Sequence, residues 1–246
     1  MDKFSERQKE LLLTIIKEFI ETAEAVGSIS LQNKYDFDLS PATIRNEMAN
    51  LGLLGYLYQK NLSSGRIPTT KGWRFFVDYL ESMGFEDVDN STKDEIQSVL
   101  HKSSAESEEI IRKSVVMLSR FSGNAAIAVV DGQVMYSGLS ELVSIPEFKD
   151  TDNLKRILTI LEDYSVLSEM MNREVKDHDI NVLIGEESGQ DSFDDYAIVF
   201  NELRINGEIH GYLAIIGPNR MRYNKVIPLL QFTIEAIRKA FLKVQD

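Results

Sequence analysis

The run Leu39-Ser40-Pro41-Ala42-Thr43-Ile44-Arg45-Asn46-Glu47-Met48, followed by Gly55 and then by Ser63-Ser64-Gly65-Arg66-Ile67-Pro68-Thr69, constrains its surroundings more tightly than any other stretch of the chain. Ser40 has the side chain of a helix N-cap. Pro41 suits the first helical position, where no intrahelical bond is lost with its N–H, and Gly55 suits a left-handed residue beyond the last turn. Between these limits Ile44, Met48, Leu51 and Leu54 recur at helical spacing and predict one apolar stripe. Ser40, Thr43, Arg45, Asn46 and Asn50 lie off it, with side chains that suit base edges or phosphates.

The residues around this helix predict its supports. From Phe4 to Val26 apolar residues fall at Leu11, Leu12, Ile15, Ile16, Phe19 and Ile20, the pattern of a first amphipathic helix. Ser28 is placed to cap a short segment from Ile29 to Tyr35, with Ile29 and Leu31 packing on the first helix, and Asp36 to Leu39 form the turn into the next. After Gly55, Tyr56-Leu57-Tyr58 and Arg66-Ile67 predict two short strands around a turn at Asn61 to Gly65, with Pro68 ending the second. The pattern over residues 1–82 is a helix-turn-helix with a wing. Charge supports a nucleic-acid face there. Residues 41–80 carry Arg45, Lys60, Arg66, Lys71 and Arg74 against Glu47 and Asp78, a local balance of +3 in a chain of net charge −12. A few cations placed near phosphates suffice for duplex binding, and acid elsewhere weakens nonspecific adhesion. Arg66, Lys71 and Arg74 are the expected backbone contacts.

A second domain is expected over residues 83–246. Met83 to Ser91 interrupts the pattern with Gly84, three acids and the cap candidates Asn90 and Ser91. A long helix from Thr92 to Ser119 is expected next, apolar at Ile96, Val99, Leu100, Ile110, Ile111, Val115 and Leu118 but broken or exposed over Lys102 to Glu109. Ala125 to Val130 and Gln133 to Tyr136 predict a hairpin about Asp131-Gly132, and Tyr196 to Ile205 and Glu208 to Ile216 a longer one about Asn206-Gly207. Leu154 to Leu167 and Tyr223 to Val244 read as amphipathic helices. The class is α+β, an antiparallel sheet with helices on one face.

Little in the composition points to chemistry. The chain has no cysteine, which removes thiolate metal ligands, thiol nucleophiles and disulfides. His101, His178 and His210 match no metal spacing, Glu186 and Glu187 read as a solvated loop, and Gly217-Pro218-Asn219-Arg220-Met221 reads as a strand-to-helix turn. No phosphate-cradling loop or nucleophile elbow is present, so neither cofactor nor enzymatic activity is expected. No apolar run approaches bilayer length, and the start lacks a basic and then apolar leader, which leads to the expectation of a cytoplasmic protein with no membrane contact.

The string from Ser40 to Ala49, with Leu54-Gly55-Tyr56-Leu57, Ser64-Gly65-Arg66-Ile67-Pro68-Thr69, Lys71-Gly72-Trp73-Arg74-Phe75-Phe76-Val77-Asp78, Ser144-Ile145-Pro146-Glu147-Phe148, Ile184-Gly185-Glu186-Glu187 and Gly217-Pro218-Asn219-Arg220-Met221-Arg222-Tyr223, resembles the HrcA family of heat-inducible transcription repressors over nearly the whole chain. The resemblance implies a winged helix-turn-helix followed by a GAF-like domain, a homodimer, an inverted-repeat operator of the CIRCE type upstream of chaperone operons, and a GroEL-type chaperonin as partner. Three departures stand out. Lys60-Asn61-Leu62-Ser63-Ser64-Gly65-Arg66 replaces the family's Pro-His-Thr-Ser-Ala-Gly-Arg, and Trp73 replaces a Tyr. A domain that the family inserts within the second domain, associated with dimerisation, looks absent between Tyr136 and Ser144. The alternative is a regulator or adaptor whose second domain binds a small molecule or a protein.

Overall fold

The computed structural model describes residues 5–244 except 36, 38, 62, 63, 102–106, 145–150, 174–179, 191, 192, 206 and 207. The chain divides into two compact units, Met1–Gly84 and Phe85–Asp246.

The first unit runs α1 (Glu6–Thr22), α2 (Ser28–Lys34), α3 (Pro41–Leu53), β1 (Leu57–Tyr58), β2 (Ile67–Pro68) and α4 (Thr70–Met83). A capping box starts α1: Gln8 N–H donates to Ser5 Oγ and Ser5 N–H to Gln8 Oε1. Leu11, Leu12, Ile15 and Ile16 of α1 are fully buried where α1 packs on α3 and α4, and Leu31, Ile44, Leu51, Trp73 and Val77 are buried with them in the core of this unit. Sequence and structure part at several points. Ser28 is the first residue of α2 and caps nothing; Gly27 precedes it with no side-chain cap. Ile29 is 59% exposed, because a seven-residue helix turns few residues inward and Leu31 takes that place. Leu54 leaves the α3 stripe and is 41% exposed. The helix ends at Leu53, and the chain reverses through Gly55 at φ +81. Pro68, expected to stop the second strand, is its last residue, opposite Leu57. Of the expected turn from Asp36 to Leu39, and of the hairpin tip, residues 36, 38, 62 and 63 lie outside the described residues.

The second unit contains α5 (Asn90–His101), α6 (Ser107–Ser122), β3 (Ala125–Val130), β4 (Gln133–Ser137), α7 (Leu139–Ser144), α8 (Thr151–Glu162), α9 (Tyr164–Arg173), β5 (Asn181–Ile184), β6 (Tyr196–Ile205), β7 (Glu208–Pro218) and α10 (Tyr223–Val244). The strands form one antiparallel sheet in the order β4-β3-β7-β6-β5. Asp131 and Gly132, both at positive φ, turn β3 into β4 as their sequence predicts. Asn206 and Gly207 lie outside the described residues, but Ile205 pairs with Glu208 on either side of them.

Helices cover both faces of this sheet, which corrects the expectation of one. Leu142, Ile157, Leu161, Leu167 and Met171 of α7, α8 and α9 share a core with Ile127, Ile198, Phe200 and Ile216. On the other face α6 and α10 pack on β3, β6 and β7, and the alternate residues Ala126, Ala128, Val199 and Ile215 are buried too. The near-continuous apolar run of Ala125 to Val130 is the signature of a strand covered on both faces.

The stretch Thr92–Ser119 is two helices, α5 and α6, packed on each other, in keeping with the break expected over Lys102 to Glu109, of which residues 102–106 lie outside the described residues. Its apolar residues Ile96, Leu100, Ile110, Ile111, Val115 and Leu118 are buried. Asp89 caps α5 in place of Asn90 or Ser91. It accepts from Thr92 N–H at 2.9 Å and from the hydroxyls of Thr92 and Ser91, and these bonds bring its pKa down to about 2. Leu154 to Leu167 is divided by Asp163, which caps α9. Among the described residues no helix is long and apolar enough to cross a membrane.

Candidate nucleic-acid interface

The predicted site residues lie on or beside α3. Ser40 Oγ accepts from Thr43 N–H at 3.2 Å, and the two hydroxyls are 3.0 Å apart, so both Ser40 and Thr43 are engaged in the cap. The first turn thereby presents a satisfied, positively polarised helix end. Ile44, Met48 and Leu51 hold the inner face, while Arg45, Asn46 and Asn50 are exposed. Among the described residues the side chains of Arg45 and Asn46 have no hydrogen-bond or ion-pair partner. Asn50 lies one turn beyond Asn46 and helps to hold the neighbouring Glu47 carboxyl below its usual value.

The hairpin brings Arg66 to the other end of α3. Arg66 exchanges backbone hydrogen bonds with Val26, at 2.8 and 2.9 Å, and so sits at the base of the wing rather than at its tip. Gly65 makes this possible, because a Cβ there would lie 2.5 Å from the backbone of Ala25 and Val26. The Arg66 guanidinium reaches back along α3 to within 3.6 Å of where a Cβ on Gly52 would stand. Among the described residues it forms no ion pair. It lies near the negative end of the helix dipole, which favours a cation.

Lys71 and Arg74 are placed otherwise than expected. Lys71 Nζ donates to Leu54 O at 3.0 Å and lies 4.3 Å from the centroid of the Tyr56 ring, so it closes the C-terminal end of α3. Arg74 is half-buried and 4.0 Å from the Asp78 carboxylate one turn along α4. The structure therefore gathers Arg45, Asn46 and Arg66 as exposed or uncommitted groups along α3, and gives Thr43, Lys71 and Arg74 partners of their own.

Two carboxylates were missed by the sequence reading. Glu47 is 8% exposed and accepts from Arg7 and from Gln8 Nε2 at 3.0 Å, joining α3 to α1. Burial pushes its carboxyl up, but the bonds from Gln8, Arg7 and Asn50 and the charge of Arg7 outweigh that and hold it below the usual value. Glu18 of α1 accepts from Lys34 Nζ at 2.6 Å and Tyr35 Oη at 2.7 Å, joining α1 to α2. The Lys34 bond lowers its pKa, against burial, with Tyr35 and the Lys34 charge helping. A signal existed: Glu47 stands three residues after Ile44 and Glu18 three after Ile15, each within an apolar stripe.

Elsewhere the chemical candidates of the sequence have structural uses. Glu187 accepts the Ile184 N–H at 2.9 Å and closes the turn after β5. Asn219 in the Gly217 to Met221 turn donates to Asp194 O at 2.7 Å, and Tyr223 Oη donates to Asn219 O. Among the described residues no group of His, Asp and Glu could hold a metal ion. His178 and Ile145 to Phe148 lie outside the described residues.

Residues 70–227 match a family model described as the HrcA protein C terminal domain. The chain is 26% identical to the heat-inducible transcription repressor HrcA of Lysinibacillus sphaericus over 339 aligned positions, covering 96% of this chain and 98% of the relative. It is also 26% identical to that of Carboxydothermus hydrogenoformans, covering 92% and 95%. Coverage of 96% extends the likeness into the first unit, which the family model barely enters. An alignment of 339 positions on a chain of 246 leaves at least 93 positions opposite no residue here, so the relative carries residues that this chain lacks. A crystal structure of a hypothetical protein shares the fold at a TM-score of 0.82 and 17% identity, covering 98% of this chain and all of the other. With its model matched over more than half of the residues, the chain belongs to the HrcA family.

Proposed function

We propose that the chain is a DNA-binding transcription repressor. In this reading the first unit is a winged helix-turn-helix whose α3 enters a major groove. Arg45 and Asn46 meet base edges, Ser40 and Thr43 lie at the phosphate-facing helix start, and Arg66 meets a phosphate flanking the groove. The observation that carries it is the two-sidedness of α3. One side is fixed to the unit through Ile44, Met48, Leu51 and Glu47, while the other offers Arg45 and Asn46 with no intramolecular partner among the described residues. Asn50 is a further contact on the same exposed side, while Lys71 and Arg74 are secondary contacts, since each must leave or share a partner to reach DNA.

The finer reading follows the family. The second unit is a GAF-like domain, the operator is an inverted repeat of the CIRCE type before chaperone operons, and a GroEL-type chaperonin supports the active form. A two-fold operator calls for a homodimer. The apolar stripes of α5, α6 and α10 are spent on the second unit's own core, so the dimer is joined through other surface of that unit. Selection of duplexes from a random-sequence pool by the full chain is the test, with analytical ultracentrifugation on the enriched duplex. Enrichment of an inverted repeat bound by two copies is expected. A chain that enriches no duplex removes this reading and favours a ligand- or protein-binding adaptor.

A further inference from the structure

A contact with DNA makes no use of the one charged side chain that α3 turns inward. Glu47 occupies a place on the apolar stripe, and its two oxygens are taken by Arg7 Nη2 and Gln8 Nε2. Gln8 is itself fixed at its other end, where its Oε1 accepts the Ser5 N–H at 3.1 Å and completes the cap of α1. A chain of hydrogen bonds thus runs from the first turn of α1 to the middle of α3.

Such a link does what apolar packing cannot. Ile44, Met48 and Leu51 resist separation of α3 from α1, but burial is non-directional and tolerates small rotations of a helix about its axis. Hydrogen bonds to a buried carboxylate are directional, and losing a donor leaves charge unsatisfied in a dry place. Rotation of α3 would carry Arg45 and Asn46 with it, because they share its backbone one and two residues away.

We propose that Glu47 is a positioning residue for sequence reading. Held by Arg7 and Gln8, it sets the rotation of α3 on α1 and so the aim of Arg45, Asn46 and Asn50, without touching DNA. The proposal rests on the DNA-binding reading above. Its test compares the wild-type full chain with Glu47→Gln, at a temperature where the fluorescence of Trp73 reports a folded first unit. Each is titrated with the duplex that the wild type enriches from a random pool and with a shuffled duplex of equal length. The ratio of the two affinities should fall about tenfold in Glu47→Gln while the shuffled-duplex affinity stays within about twofold. Arg7→Met leaves the carboxylate its Gln8 bond and should give a smaller fall of the same kind, which serves if Glu47→Gln does not fold. A ratio unchanged in folded protein, or equal losses on both duplexes, overturns the proposal and leaves the DNA-binding reading standing. A wild type that enriches no duplex overturns both.

Discussion

The two units are held together by different means. In the first, α1 is pinned to α2 by Glu18 and to α3 by Glu47, each a buried carboxylate with charged and neutral donors. In the second, the helices grip both faces of the sheet through apolar side chains, and among its described residues Glu202, paired with Arg204 at 2.5 Å, is the one buried acid. The difference suits the roles proposed for the two parts. A sheet between helix layers gains from area alone, whereas a helix that must present particular side chains outward gains from bonds that fix its rotation. The only tryptophan, Trp73, is buried in the first unit, so its fluorescence reports that unit while circular dichroism reports both.

The largest effect should come from the packed unit. Phe200 is fully buried on the middle of the sheet, its ring centroid 6.1 Å from that of Tyr212. Phe200→Ala should cost about 3–5 kcal/mol of the second unit's stability through lost burial and a cavity. Thermal circular dichroism should show that loss with the Trp73 transition unmoved. A Trp73 transition that falls in step would mean that the two units unfold together and are not stabilised by separate means.

Acid should discriminate the other way. Glu18 and Glu47 have folded pKa values below their ordinary value of 4.5. The folded unit therefore binds these protons less readily than the unfolded chain does. Their stabilisation is complete above the unfolded pKa and is lost as pH falls through the lower folded values. The Trp73 melting temperature should drop on acidification below about pH 4, and drop less in Glu18→Gln. The second unit also carries lowered acids, Asp89 and Asp163, but these are exposed helix caps whose stabilisation is screened by water. A Trp73 transition flat between pH 5 and pH 3 would show that the two carboxylates do not hold the first unit.

What was legible in the sequence followed the same division. Local patterns decided α1, α3, the Asp131-Gly132 hairpin and α10, since caps, turn residues and apolar spacing are written within a few positions of one another. The apolar run Ala125 to Val130 marks a strand covered on both faces, but which elements supply the second layer is not legible, because α10 reaches that face from the far end of the chain. Among the site residues, Arg45 and Asn46 stood out by falling off the stripe. Glu47 did not, since an acid within a stripe has no visible donor until α1 is laid beside it and Arg7 and Gln8 arrive. Lys71 was legible as a cation but not as a helix cap, a role set by the turn that carries Leu54 back toward α4.

Neighbouring positions on α3 should therefore behave as opposites. Arg45→Ala should weaken binding to the enriched duplex by about 1–3 kcal/mol with the Trp73 transition nearly unchanged. Ile44→Ala, one residue earlier and fully buried, should cost about 2–5 kcal/mol of the first unit's stability. Fluorescence anisotropy and thermal unfolding separate them, and an Arg45→Ala chain that binds normally would remove α3 as the reading element.

The smallest effect concerns the two cations at the far end of α3, Arg66 and Lys71. Both lie close to its last turn, but Lys71 is committed to Leu54 O and the Tyr56 ring, whereas Arg66 forms no ion pair among the described residues. A cation that neutralises a phosphate releases counterions, and its loss lowers the salt dependence of binding by about one unit of slope. Arg66→Ala should show that reduced slope on enriched and shuffled duplexes alike. Lys71→Ala should leave the slope in place and lower the first unit's stability by about 1 kcal/mol through the uncapped helix end. The two variants also differ in how they respond to salt without DNA: both bonds of Lys71 are short-range, so its melting deficit should persist at high salt. The reversed pattern, a slope lost with Lys71 and stability lost with Arg66, would make Arg66 the brace beside Gly52 and Lys71 the phosphate contact.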